Sequence, residues 1–143
     1  MRVSARTDYA LRALLVLADR APALVKVEVI SAEEGMPRKF VEVILGELRR
    51  AGLVVSRRGS DGGFGLAMPA ERITVGDVVR IADGPLGGEP GRAGAAPGRL
   101  ADVWTAATVS VADVLDRTTL AHVRSGCLPD HVRELAGRGG EVR

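Results

Sequence analysis

The fold of this chain is decided by residues 27–66, which read VEVISAEEGMPRKFVEVILGELRRAGLVVSRRGSDGGFGL. Apolar residues recur at helical spacing on both sides of Gly35–Pro37, and a glycine followed by a proline favours a tight turn between two helices. After Gly52 the pattern changes to two short apolar runs around Gly59–Gly63, which is typical of a β-hairpin with a loose tip. Helix, turn, helix and hairpin in this order predict a winged helix-turn-helix.

Further helices are predicted on both sides of this stretch, so the fold class is mainly α with a small β-hairpin wing. Thr74 and Asp77 have the spacing of a capping box, which marks a helix start. We expect helices at about 5–20, 27–34, 37–51, 75–83, 100–117 and 119–124, with the hairpin between the third and the fourth and a frayed tail from residue 137. In the third helix the residues expected to face the core are Phe40, Val41, Ile44, Leu45 and Leu48.

Three regions are predicted along the chain. Residues 1–83 form the winged helix-turn-helix domain, and residues 100–143 form a long helix with a C-terminal tail. Between them, residues 84–99 contain 6 Gly and 3 Pro and few large apolar side chains, which predicts a flexible loop. The long helix carries a narrow apolar stripe suited to helix-on-helix packing: Leu100, Val103, Trp104, Ala107, Val111, Val114 and Leu115.

Composition excludes several classes of protein. The chain has 143 residues and 46% hydrophobic residues, enough for one domain with a packed core. One cysteine excludes an internal disulfide framework, and no apolar run is long enough to cross a membrane. We therefore expect a cytoplasmic protein without a membrane partner. Neither a nucleophile–base pair nor a phosphate-binding glycine motif is present, so an enzyme is not expected.

The positive charge is concentrated in the first half of the chain. Residues 1–70 carry 11 Lys and Arg against 8 Asp and Glu, whereas residues 71–143 carry 9 against 10. A helix that begins with exposed basic residues can enter the major groove, and a glycine-rich wing lets backbone N–H groups approach phosphate. The predicted DNA-contacting residues are Arg38, Lys39, Glu42, Arg49, Arg50, Arg57, Arg58, Ser60, Gly62 and Gly63. The alternative is a winged-helix module that binds proteins without reading DNA, since basic residues on a helix are often only a solvated face.

Four blocks of sequence resemble the Rrf2 family of bacterial transcriptional regulators. They are residues 8–14 (DYALRAL), 48–54 (LRRAGLV), 58–64 (RGSDGGF) and 73–78 (ITVGDV). The resemblance implies a homodimer in which residues 100–143 supply the dimerisation helix and C-terminal tail, with the two long helices crossing along their apolar stripes. Its two winged domains would bind a pseudo-palindromic site on double-stranded DNA. It also implies that Arg38, Lys39 and Glu42 face bases and that Arg58 reaches the minor groove. A repressor is the expected form of regulation.

The chain departs from this family where many members bind an iron–sulfur cluster. Those members use three cysteines in the loop after the fourth helix, and residues 84–99 contain none. Asp8, at a position that supplies a cluster ligand in some members, fits a first-turn acid that complements the helix dipole. Gly65 replaces a basic residue of the family's wing, which would remove one phosphate contact. No cofactor is therefore predicted.

The signal to which this regulator would respond is left open by the sequence. Cys127 is either an inert surface thiol or a redox switch, and Trp104 is either interface core or part of a small-molecule effector pocket. His122 and His131 are nine residues apart without a third ligand, so no metal site is predicted.

Overall fold

A computed structural model of the chain describes residues 2–87 and 98–140. Its elements are α1 (Ala5–Arg20), α2 (Val27–Glu34), α3 (Arg38–Arg50), β1 (Val54–Arg57), β2 (Gly63–Leu66), α4 (Val75–Asp83), α5 (Arg99–Asp116), α6 (Leu120–Ser125) and α7 (Asp130–Arg138). A short 3-10 turn, Ala70–Arg72, precedes α4, and β1 and β2 form a two-stranded antiparallel sheet. The winged helix-turn-helix predicted from the sequence is confirmed.

Helix α1 is the central element of the core. Its residues Ala10, Leu14 and Leu17 are fully buried, and the helix contacts α2, α3, α4, α6 and β2. Ser4 caps its N-terminus, since the Ser4 Oγ accepts from the Thr7 backbone N–H at 3.0 Å. Aliphatic side chains supply nearly all of this core, as the low aromatic content requires.

The start of α1 is fastened to the end of α4 by one carboxylate. The hydroxyls of Ser4 and Thr7 donate to Asp83 at 2.6–2.7 Å. These hydrogen bonds hold the pKa of the Asp83 carboxyl below its usual range, because they favour the charged form. At its other end α4 begins with the predicted capping box, in which Thr74 and Asp77 each accept a backbone N–H of the other at 3.0 Å.

After α5 the chain returns to the winged domain. The Val75 N–H donates to the Thr118 carbonyl at 2.8 Å, and the Leu120 N–H donates to the Ile73 carbonyl at 2.9 Å. Leu120 is fully buried in the same core cluster as α1. His122 completes a second capping box with Thr119, which gives this histidine a structural role. The core of the winged domain therefore includes α6, beyond the boundary predicted at residue 83.

One prediction from the sequence was wrong, and one helix was missed. Phe40 was expected in the core, but it is 53% exposed and lies edge-on against Tyr9, with 6.0 Å between ring centroids. At 100° per residue around the helix axis, the Phe40 side chain points about 90° away from the middle of the buried face of α3. Helix α7 was not predicted and continues past the expected fraying point at residue 137 to Arg138.

The predicted loop at 84–99 lies mostly outside the described residues, which include only its two ends. Gly84–Gly87 follows α4 directly, and α5 begins at Arg99, one residue before its predicted start. Within 2–87 and 98–140, none of the helices combines the length and apolar character needed to cross a bilayer.

Candidate nucleic-acid interface

The turn between α2 and α3 is fixed by both backbone and side chain. Gly35 ends α2 in the left-handed conformation at φ 61°, and its N–H donates to the Ser31 carbonyl. The Ser31 hydroxyl donates to the Met36 carbonyl at 2.6 Å, while the Met36 side chain is buried. The two helices are thus held at a fixed angle, as a helix-turn-helix requires.

Helix α3 separates an apolar inner face from a polar outer face. Arg38 bonds Glu28 at 2.7 Å and Glu42 at 3.2 Å, and all three side chains are exposed. Exposed ion pairs of this kind contribute at most about 1 kcal/mol, so Arg38 can exchange them for phosphate. Lys39 and Arg50 are exposed and have no acidic partner within the described residues. The buried residues of the helix are Val41, Ile44, Leu45 and Leu48.

The outer face of α3 also carries Val43, which the sequence analysis did not predict as a functional residue. Val43 is 53% exposed and lies one helical turn after Lys39. The available signal was the helical spacing, which places Lys39, Val43, Gly46 and Arg50 on one ridge. Glu47, beside this ridge, accepts from the Arg6 guanidinium and so connects α3 to α1.

The wing is attached to the domain through β2. Residues Val54 to Arg57 pair with Leu66 to Gly63, and Phe64 exchanges two backbone hydrogen bonds of 2.8 Å with Val25. Gly63 has φ 146°, and a Cβ there would lie 2.7 Å from the Val25 carbonyl oxygen. Only glycine therefore allows β2 to approach this connector so closely.

Cationic side chains lie along the entering strand and the tip of the wing. Arg58 and Ser60 are exposed, and Arg57 donates to the Asp61 carbonyl at 3.4 Å. Arg49 of α3 donates to the Ser56 hydroxyl at 3.1 Å, so the end of the helix and the base of the wing are joined. The structure thus brings α3 and the wing together as neighbours.

Two glycines of the wing serve the hairpin itself. Gly62 is buried, and its N–H donates to the Gly59 carbonyl at 3.0 Å, so this N–H closes the turn rather than pointing outward. Gly65 is also buried, and a Cβ there would lie 2.9 Å from the Leu24 side chain. Leu24 therefore lies beside the position at which the family's wing carries a basic residue.

Helix α5 has no buried residue within the protomer, although it carries the predicted apolar stripe. At its N-terminal end Leu100, Val103 and Trp104 are 52–57% exposed. Farther along, Val111, Val114 and Leu115 are half-buried and line a groove with Leu135 of α7. Most of this stripe is therefore open to a partner, while its C-terminal part also packs within the protomer.

A cavity of about 350 Å³ lies between α4, α5 and the first turn of the loop. Its walls include Val79, Asp83 and Leu115. Trp104 is not among the described residues that line this cavity, so the cavity does not support the hypothesis that Trp104 lines an effector pocket.

The residues near the family's cluster position do not fit an iron–sulfur cluster. The chain has one cysteine, Cys127, and it lies exposed between α6 and α7, far along the sequence from residues 84–99. Asp8 instead bonds Arg12 at 3.3 Å in the first turn of α1. No group of three His, Cys, Asp or Glu side chains suited to a metal ion occurs within the described residues.

Comparison with known proteins agrees with this architecture. The Rrf2 family profile, described as an iron-dependent transcriptional regulator, matches residues 3–125. A Mycobacterium tuberculosis (strain H37Rv) protein named as an HTH-type transcriptional regulator is 42% identical over 144 residues, covering 95% of this chain and 89% of that protein. The structure of CymR, the global cysteine regulator of B. subtilis, is 28% identical with a TM-score of 0.77 and covers 87% of this chain and 97% of that chain. T. potens IscR is 31% identical with a TM-score of 0.74, covering 88% of each chain.

These relatives are transcriptional regulators and not enzymes, as the sequence predicted for this chain. The profile match spans the turn, α3, the wing and α5. The chain belongs to the Rrf2 family of DNA-binding transcriptional regulators.

Proposed function

We propose that this protein is a homodimeric, sequence-specific regulator that represses transcription from a pseudo-palindromic operator. Helix α3 enters the major groove, and Arg58 of the wing reaches the minor groove. The observation that carries the proposal is a pair of exposed cations on α3, Lys39 and Arg50, which have no acidic partner among residues 2–87 and 98–140, on a helix held by the Gly35 turn. The contacting residues are Arg38, Lys39, Glu42, Arg49, Arg50, Arg57, Arg58, Ser60 and Gly63, with Gly62 shaping the tip.

Charge explains how this surface would distinguish DNA from other partners. Each cation that neutralises a phosphate releases a counterion, so affinity falls steeply with salt. Glu42, oriented by Arg38, is an acceptor suited to the amino group of cytosine. Arg58 stands on the wing without an acidic partner among the described residues, as an arginine in the narrow minor groove requires.

The test begins with selection of preferred sequences from random duplex DNA, followed by binding measurements at several salt concentrations. Arg58→Ala is expected to weaken specific binding by about 1–3 kcal/mol, and Lys39→Ala to flatten the salt dependence by about one unit of slope. Arg138→Ala, at the end of α7, is the matched control and should bind as the wild type does. Absence of any salt-sensitive DNA binding would favour the protein-binding module instead.

The dimer is proposed to form through α5. An apolar stripe at near-heptad spacing on an 18-residue helix suits packing against a second copy, and an isologous contact gives the two-fold symmetry of a palindrome. The stripe consists of Leu100, Val103, Trp104, Ala107, Val111, Val114 and Leu115. The test is the mass in solution of Val103→Asp, which is expected to be monomeric and to lose operator binding.

Val109→Asp is the control for the dimer. Val109 is as exposed as Val103, at 60% against 55%, but lies about 120° away around the helix. It is expected to remain dimeric. A dimeric Val103→Asp protein, or two variants that dissociate equally, would contradict the proposed face.

We also propose that this regulator works without an iron–sulfur cluster, since its donor set lacks the thiolates. Protein purified without oxygen should be colourless and free of stoichiometric iron and sulfide. Visible absorption together with both elements would overturn the proposal. Repression itself is tested by transcription in vitro from a promoter that overlaps a selected operator, where added protein should reduce the transcript. The effector, small-molecule or redox, is left unassigned.

A further inference from the structure

Two residues on the outer face of α3 have no role in the fold. Val43 and Gly46 lie on the ridge that begins with Lys39 and ends with Arg50, at spacings of four, three and four residues. At 100° per residue, Val43 points about 150° away from the middle of the buried face. The ridge therefore presents one apolar side chain and one bare stretch of backbone between two cations.

Neither residue is explained by packing or by helix propensity. Val43 is 53% exposed, and valine is a weaker helix former than the unbranched residues that usually occupy exposed positions. Phe40 has the same exposure but packs edge-on against Tyr9, so its position has a structural reason. Gly46 is the least favourable residue after proline in a helix interior. A Cβ at Gly46 would meet only the Arg50 guanidinium, at 3.9 Å, so the fold leaves room for alanine there.

The major groove of DNA supplies a partner for this ridge. Phosphates border the groove on both sides, and the thymine 5-methyl group is the apolar feature on its floor. Lys39 and Arg50 match the phosphates in charge, and Val43 between them matches the methyl group in chemistry. A protein partner that packed an apolar patch on Val43 would also have to supply acidic groups for Lys39 and Arg50, whereas DNA supplies phosphates at both positions.

We propose that Val43 reads the 5-methyl group of one thymine in each operator half-site, and that Gly46 lets the α3 backbone approach the bases closely enough for this contact. The proposal rests on the DNA-binding function proposed above and adds a base identity to it. Val43 is then a specificity-determining residue beside the polar contacts of Glu42.

The test replaces each thymine of a selected operator, one at a time, with uracil, which pairs identically but lacks the methyl group. Wild-type protein is expected to bind one substituted position per half-site about fourfold more weakly, the value of one buried methyl group. In Val43→Ala that same replacement should change affinity less than twofold. The matched control is Val109→Ala on α5, which should keep the full fourfold sensitivity.

Gly46→Ala tests the close approach separately. The variant is expected to melt at a higher temperature than the wild type and yet to bind the selected operator about tenfold more weakly. Gly137→Ala is the control, because Gly137 also lies in a helix with open space around its Cβ position. It should raise the melting temperature without changing the affinity for DNA.

The outcomes separate this inference from the function on which it rests. Specific operator binding that is insensitive to every uracil replacement overturns the inference and leaves the function intact. Sensitivity that persists unchanged in Val43→Ala, or unchanged binding by Gly46→Ala, also overturns it. If the wild type selects no sequence at all, the proposed function fails and the inference fails with it.

Discussion

Replacing Gly63 with alanine should detach the wing from the domain. The new Cβ would lie 2.7 Å from the Val25 carbonyl oxygen and 2.8 Å from its carbon, and both obstacles are backbone atoms that cannot rotate away. Relief of this overlap requires β2 to move from the connector, which breaks the two 2.8 Å hydrogen bonds between Val25 and Phe64. Each is worth about 0.5–1.5 kcal/mol, and a φ of 146° costs a non-glycine residue about 1–3 kcal/mol.

The expected loss is therefore about 2–6 kcal/mol, a large part of the free energy of unfolding of a small domain. Urea denaturation followed by circular dichroism measures it, and operator binding reports the displaced wing. Gly59→Ala is the matched control, since Gly59 also has a positive φ, at 105°, but has open space around its Cβ position. It should lose only the conformational part, about 1–3 kcal/mol. Equal destabilisation of the two variants would refute the role given to the contact with Val25.

Three further predictions concern the helix ends and the cysteine. Asp83→Asn should destabilise the protein by less than about 1 kcal/mol at neutral pH, because the carboxylate is exposed and screened. Since the pKa of Asp83 is lowered in the folded protein, the wild type should lose this extra stability as the pH falls below about 4. Chemical denaturation at a series of pH values measures the difference. A difference that persists at pH 2 would contradict this. Thr74→Ala should lower the free energy of unfolding by about 1 kcal/mol through loss of the α4 cap, whereas Thr105→Ala on the exposed surface of α5 should change it little. Cys127→Ser should bind DNA as the wild type does and respond identically to peroxide; loss of an oxidation response in the variant would instead establish the thiol as a switch.

The elements of the winged domain could be predicted because each has a local cause. Gly35 ends α2, the Thr74 capping box starts α4, and the glycine-rich tip separates two apolar runs. Helix α7 was missed although Val132, Leu135 and Ala136 have helical spacing, because the segment is short and none of its nine residues is buried. Its first turn instead contains Asp130, which pairs with Arg133.

The site was less predictable than the fold because it depends on directions in space. Phe40 and Val41 are adjacent in an apolar run, yet α3 turns only Val41 toward the core. The glycine-rich sequence predicted that the Gly62 N–H would be available for phosphate, but this N–H donates to the Gly59 carbonyl within the turn. Lys39 and Arg50 were predicted as functional residues from their charge, whereas Val43 was not, although the helical period alone places all three on one ridge.

In the proposed dimer, the return of the chain from α5 to the winged domain would limit the spacing of the operator half-sites. Hydrogen bonds from Val75 to Thr118 and from Leu120 to Ile73 fasten the end of α5 to the body that carries α3. In a dimer built on α5, these hydrogen bonds would hold the two α3 helices at a fixed separation. Half-sites one helical turn apart are separated by about 34–36 Å, and each inserted base pair also rotates one site around the duplex by about a tenth of a turn. A fixed separation cannot follow that rotation, so we expect the proposed dimer to bind poorly to operators that differ by a single base pair in spacing.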